Sequence, residues 1–175
     1  MKNTVMKKVI FVYFVAALAL SACSEPAAPP QAVVKPDTSS ALTNIRAAGK
    51  QFDSSVEVHP LRDPSIDGLV DQARKLEAQQ QASPALDKVG EALKIAPNSP
   101  DLLQYQAELY VQTSNWTGAV ASAQKSYDLG PKVGALCAKN LQTLIEAGNA
   151  QSNAGMMTDA KQKMAGCKVP APNRF

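Results

Sequence analysis

The strongest nucleophiles and metal ligands of this chain are one histidine, His59, and three cysteines, Cys23, Cys137 and Cys167. Imidazole and thiolate do their chemistry in clusters, as metal ligands or as a nucleophile beside its base. Here they are dispersed. No C-x-x-C pair occurs and no histidine neighbours a cysteine, so neither a metal site nor a dithiol redox centre is expected. His59 precedes Pro60 with no partner constellation nearby and reads as a loop histidine. A phosphate-binding Gly-Lys-Ser/Thr loop, a G-x-S-x-G elbow and an H-E-x-x-H helix are all missing, and the carboxylates are scattered without an obvious pair. The expectation is therefore a chain without enzymatic activity, cofactor or metal.

Cys23 differs from the other two in what precedes it. Lys2, Lys7 and Lys8 form a positive start, and Val9 to Leu20 form an apolar stretch of 12 residues. A helix needs about 20 residues to cross the hydrocarbon layer, so residues 1–22 read as a secretory signal, not a membrane span. The stretch ends in Leu20-Ser21-Ala22-Cys23. An aliphatic residue, two small ones and a cysteine resemble the bacterial lipobox. That resemblance implies a diacylglyceryl group on the Cys23 thiol and cleavage that makes Cys23 the first residue; an ordinary signal peptide cut after Ala22 is the alternative. Ser24 in place of aspartate implies, by the enteric sorting rule, the outer membrane. Several acyl chains would anchor the protein to a membrane without spanning it.

The signal also reorganises the charge. The full chain of 175 residues carries 18 basic and 15 acidic residues, a formal charge of +3. Without Lys2, Lys7 and Lys8 the basic count falls to 15 and the balance is zero. A neutral chain lacks the electrostatic footprint of a nucleic-acid binder. From Cys23 to Ser40 the composition turns to Pro, Ala, Ser and Val, with Pro26, Pro29, Pro30 and Pro36 opposing helix. This stretch reads as a disordered tether, reaching about 50 Å if extended at roughly 3.1 Å per residue.

Residues 41–64 are expected to hold a short helix from Ala41 to Phe52, capped by Ser39 or Ser40, and a loop. Leu42, Ile45 and Phe52 share a stripe suited to packing on the segments C-terminal to it, with a partner-docking helix as the alternative, and Val56-Glu57-Val58 looks extended. Beyond it the chain matches itself at a shift of 34 residues. Leu69, Ala73 and Leu76 recur as Leu103, Ala107 and Tyr110; Ala85 and Val89 recur as Ala119 and Ala123; Pro97 recurs as Pro131. Asp63-Pro64, Ser83-Pro84 and Ser99-Pro100 each set a capping side chain before a first-turn proline, and Asn115 can cap a helix from Trp116. Small residues at Ala73, Ala85, Ala107 and Ala119 let antiparallel helices approach closely.

A 34-residue helix–turn–helix unit with these small positions and a terminal proline resembles the tetratricopeptide repeat. The unit 66–99 matches, 100–133 matches better, and 134–167 is divergent, fitting only when seven residues, about two turns, are added. The resemblance covers residues 65–167, leaving 168–175 as an extended tail. It implies an all-α fold of antiparallel helix pairs stacked as a short right-handed solenoid. Cys137 and Cys167 then lie near the start of one helix and the end of its partner. In an oxidising compartment they are expected to form a disulfide; two separately buried thiols are the alternative.

The family binds segments of other proteins on the face made by the first helices. Carried onto this chain, that face includes Val70, Arg74, Glu77, Gln104, Glu108, Val111 and Gln142. The resemblance implies a non-catalytic envelope adaptor, as in outer-membrane protein insertion, pilus biogenesis or wall synthesis, whose partner is another envelope protein or peptide segment. The alternative is a periplasmic chaperone or quality-control accessory holding unfolded clients.

Overall fold

Cap and turn signals divide the chain into seven helices among the described residues, which in this computed structural model are 37–52 and 63–168. The signal 1–22, Cys23, most of the tether, Val56 to Pro60 and residues 169–175 lie outside them. The helices are α1 (Thr38–Gln51), α2 (Pro64–Ala78), α3 (Ala82–Ile95), α4 (Pro100–Gln112), α5 (Trp116–Leu129), α6 (Gly134–Ala150) and α7 (Ala154–Met164), with a 3-10 turn at Ala165–Cys167. The described residues contain no strand. The fold is all-α: α2 packs on α3, α4 on α5 and α6 on α7, and the pairs join through α3 on α4 and α5 on α6.

Side chains set several of the starts. The Asp63 carboxylate accepts from the Ser65 amide at 2.9 Å, the Asn115 amide oxygen from Gly118 at 3.0 Å and the Asn153 oxygen from Met156 at 3.0 Å. Each satisfies an amide that the first helical turn leaves without a partner. Three expected caps act differently. α3 begins at Ala82, before Ser83, and the Ser99 hydroxyl donates to Asp101 (2.7 Å) instead of accepting from the backbone. α1 starts at Thr38 because Asp37, not Ser39 or Ser40, accepts from the Ser39 amide at 3.0 Å.

The turns inside the three pairs are copies of one another. Gln80, Ser114 and Ser152 all adopt the left-handed conformation, with φ of 61°, 58° and 55°. The next amide in each closes back on the helix: Gln81 donates to Leu76 O, Asn115 to Tyr110 O and Asn153 to Gly148 O. This is the helix-ending pattern in which a left-handed residue lets the chain reverse. These turns correct the register of the third pair. α6 has 17 residues against 13 in α4, so the insertion is one helical turn, not the two expected.

The small residues lie where helices meet. Ala73, Ala85, Ala107 and Ala119 are fully buried, as are Val89, Ala123, Ala138, Leu141 and Ala160. Glycine extends this at the last pair, where a Cβ on Gly148 would stand 2.7 Å from Met157 Cγ. Ser126 ties α5 to the start of α4 by donating to Pro100 O at 2.6 Å. Cys137 in α6 is joined to Cys167 after α7, with Cα atoms 5.6 Å apart. Ile95 and Leu129, which match across the repeat, are instead 49% and 47% exposed at the ends of α3 and α5.

Candidate functional site: a groove on the first helices

The first helices of the pairs, α2, α4 and α6, form one face, and α1 lies along it against α4 and α6. It runs antiparallel to α6: Asn44 meets Glu146 near one end, and Gly49 meets Lys139 nearer the other. Its buried residues, Ala41, Ile45, Ala48 and Gly49, follow helical spacing. Ala41 and Ile45 pack with Val111 and Ala119, bordered by Tyr110 and Trp116. Ala48 and Phe52 pack with the cluster containing Ala107, Ala138 and Leu141. A side chain at Gly49 would strike the Lys139 stem, whose Cε would stand 2.7 Å from the added Cβ. Glycine there leaves room for the Lys139 stem to lie against α1.

Beside this apolar contact runs a polar one. The Arg46 guanidinium donates from Nε to Glu108 Oε2 at 2.9 Å and from Nη2 to Glu77, bridging α4 and α2. Glu77 also accepts from the Tyr105 hydroxyl (3.0 Å) and from Gln112. Glu108 also faces Lys139 Nζ at 3.8 Å and Gln104 Nε2 at 3.4 Å. Asn44 Nδ2 donates to Glu146 Oε1 at 3.0 Å, and Gln142 donates to the same oxygen at 2.7 Å. Each first helix thus offers α1 one carboxylate.

Burial is the largest single influence on Glu77 and would raise its carboxyl. The hydrogen bond and charge of Arg46, with Tyr105 and Gln112, together outweigh it and hold the group below its ordinary value. Arg46 shows the reciprocal balance: burial would lower its pKa, but Glu77 and Glu108 raise it. Tyr105 is pushed upward by burial first and the Glu77 charge second, so it stays a hydrogen-bond donor to Glu77.

α1 leaves part of the face open. Beside it is a cleft of about 450 Å³, walled by Val70, Arg74, Tyr105, Leu136 and Lys139 with Gln104 at its floor. Gln104 is 2% exposed and gives its Nε2 to Thr143 at 3.1 Å, while its Oε1 is buried without a donor.

The seven residues carried over from the repeat pattern occupy different layers of this face. Arg74 is exposed at the rim. Val70 is buried with Ile66, Ala92 and Leu102 and shows only an edge to the cleft. Glu77 and Glu108 are engaged by Arg46, and Gln142 by Glu146. Val111 is fully buried, packed with Ile45 of α1, so it presents no free surface to a partner. Sequence reasoning missed Asn44, Arg46, Lys139 and Glu146, although Arg46 adjoins Ile45 of the Leu42, Ile45, Phe52 stripe that signals packing. No group of three or more His, Cys, Asp or Glu among the described residues is arranged to hold a metal ion. Among them no helix is long and apolar enough to cross a membrane.

No family model matches the chain, and no curated protein matches its sequence. Among solved structures the fold is similar to the globular C-terminal domain of P. aeruginosa LpoP. The TM-score is 0.55 at 20% sequence identity, covering 60% of this chain and 99% of that domain. That likeness is one of fold.

Proposed function

We propose that this chain is a non-catalytic, lipid-anchored envelope protein. Its helical repeats, of tetratricopeptide kind, serve as a protein-interaction adaptor in cell-envelope assembly. The observation that carries the reading is the face of first helices already holding a helix, with Arg46 seated between Glu77 and Glu108. A surface that binds one amphipathic helix through both apolar and charged contacts is suited to protein recognition. The left-handed turns at Gln80 and Ser114, 34 residues apart, support the repeat assignment, as does the burial of all four expected small positions. The Leu20-Ser21-Ala22-Cys23 motif supports attachment through Cys23, and Ser24 favours the outer membrane, with the repeats facing the periplasm. The fold likeness to a globular C-terminal domain of LpoP agrees with a compact body carried behind an N-terminal segment.

Two measurements test this. Cys23→Ser should abolish incorporation of labelled fatty acid; persistent labelling refutes the anchor. A crosslinked pull-down from intact envelopes should recover a discrete partner with the wild type and lose it with Glu146→Lys, which reverses the charge that α6 offers at the groove. Recovery of the same partner with both proteins would place the interaction elsewhere. Suppressed aggregation of several unrelated clients, with no discrete partner, would make the protein a chaperone instead.

A further inference from the structure

We propose that the groove is a receptor for a basic amphipathic helix of the partner, and that α1 is a resident, exchangeable occupant of that site. The inference rests on the adaptor reading and names the chemistry of the partner.

Charge complementarity specifies the ligand. Glu77 on α2, Glu108 on α4 and Glu146 on α6 all face α1, which answers them with Arg46 and Asn44. A fitting helix presents small residues where Ala41, Ala48 and Gly49 stand, an aliphatic one at Ile45 and a cation at Arg46.

The groove is built to survive release of α1. Glu77 would keep Tyr105 and Gln112, Glu108 would keep Lys139 and Gln104, and Glu146 would keep Gln142. Each carboxylate would keep a donor, while Glu77 would give up the Arg46 charge that holds it ionised, a loss that a cation of the incoming helix makes good. Among the buried residues of α1 only Ile45 is a large apolar side chain.

α1 is also an incomplete ligand. It leaves the cleft of about 450 Å³ unfilled and the Gln104 Oε1 without a donor. A partner helix with a bulkier side chain on that side would fill the cleft. It would then compete with α1 despite the millimolar effective concentration that tethering gives a cis occupant.

The test uses a fluorescent peptide of residues 37–52 and the unlipidated Cys23→Ser chain. With Ile45→Asp added, which ejects the resident helix, the peptide should bind at least about ten-fold tighter than to the same chain with Ile45 intact. A peptide carrying Arg46→Glu should lose at least about ten-fold. If Ile45→Asp disturbs folding by circular dichroism, Arg46→Glu in the protein replaces it, with the same expectation. A folded variant that binds no tighter than its parent, or indifference to the charge reversal in the peptide, overturns the proposal. Excess peptide should also displace the partner from the crosslinked pull-down. A partner that stays bound leaves the adaptor reading standing and refutes its helix chemistry. Dimers in which α1 fills the groove of a second copy would overturn the assignment to another protein.

Discussion

Truncating Ile45 separates a docked helix from an integral one. The side chain is fully buried between Ala41, Val111 and Ala119. Ile→Ala at such sites costs about 2–5 kcal/mol, the spread depending on how far the site can collapse. α1 lies mainly along α4 and α6 and can settle onto small residues, which favours the low end, about 2–3 kcal/mol. At 1.4 kcal/mol per ten-fold, the fraction of molecules with α1 released should rise roughly 30- to 150-fold. Limited trypsin digestion reads this directly, since Arg46 and Lys50 lie within α1 while Lys75 and Lys88 lie in the repeats. Cleavage after Arg46 and Lys50 should accelerate by that factor, with cleavage in α2 and α3 little changed. Emission of Trp116, the only tryptophan and a neighbour of Ile45's cluster, should shift red. Equal acceleration at all four sites, or none at Arg46 and Lys50, would show that α1 does not open as a local unit.

Acid should weaken the same docking. The folded Glu77 carboxyl lies below its ordinary value of 4.5, so its stabilisation is fully present above that value and is lost as pH falls through the lower folded one. Trp116 emission should report an acid transition below pH 4.5 that Glu77→Gln lacks. Gln80→Gly should raise stability by about 1 kcal/mol in urea denaturation by relieving a left-handed non-glycine residue, despite the greater freedom glycine gives the unfolded chain. Replacing Cys137 and Cys167 by serine removes a crosslink spanning a sequence separation of 30 and should cost about 3 kcal/mol, with hydrogen exchange rising first in α7.

The repeats were legible because their determinants are local. Asp63, Asn115 and the small residues Ala73, Ala85, Ala107 and Ala119 announce themselves by type and spacing within single units. The third pair was harder because small residues also satisfy a wrong register: Ala160 matches Ala119 under the seven-residue insertion. The turn at Ser152 fixes four instead, and left-handed geometry at a serine leaves no mark in the sequence. Ile95 and Leu129 repeat faithfully yet stay exposed, because an apolar residue at a helix end need not point inward. The occupancy of the groove was not legible. Arg46 finds Glu77 and Glu108 across 31 and 62 residues, and Asn44 finds Glu146 across 102. No periodicity announces contacts of that range. The groove pattern was therefore read as open surface, although Val111 lies beneath α1.

The central claim, that the face of first helices recognises another envelope protein, is tested most directly by site-specific photocrosslinking in intact cells. A photoreactive residue at Arg74, on the groove rim, is compared with one at Thr117, exposed on α5. A discrete adduct from position 74, reproduced across preparations and weak or missing from position 117, is the expected result. A discrete adduct from position 117 with none from position 74 would contradict the account.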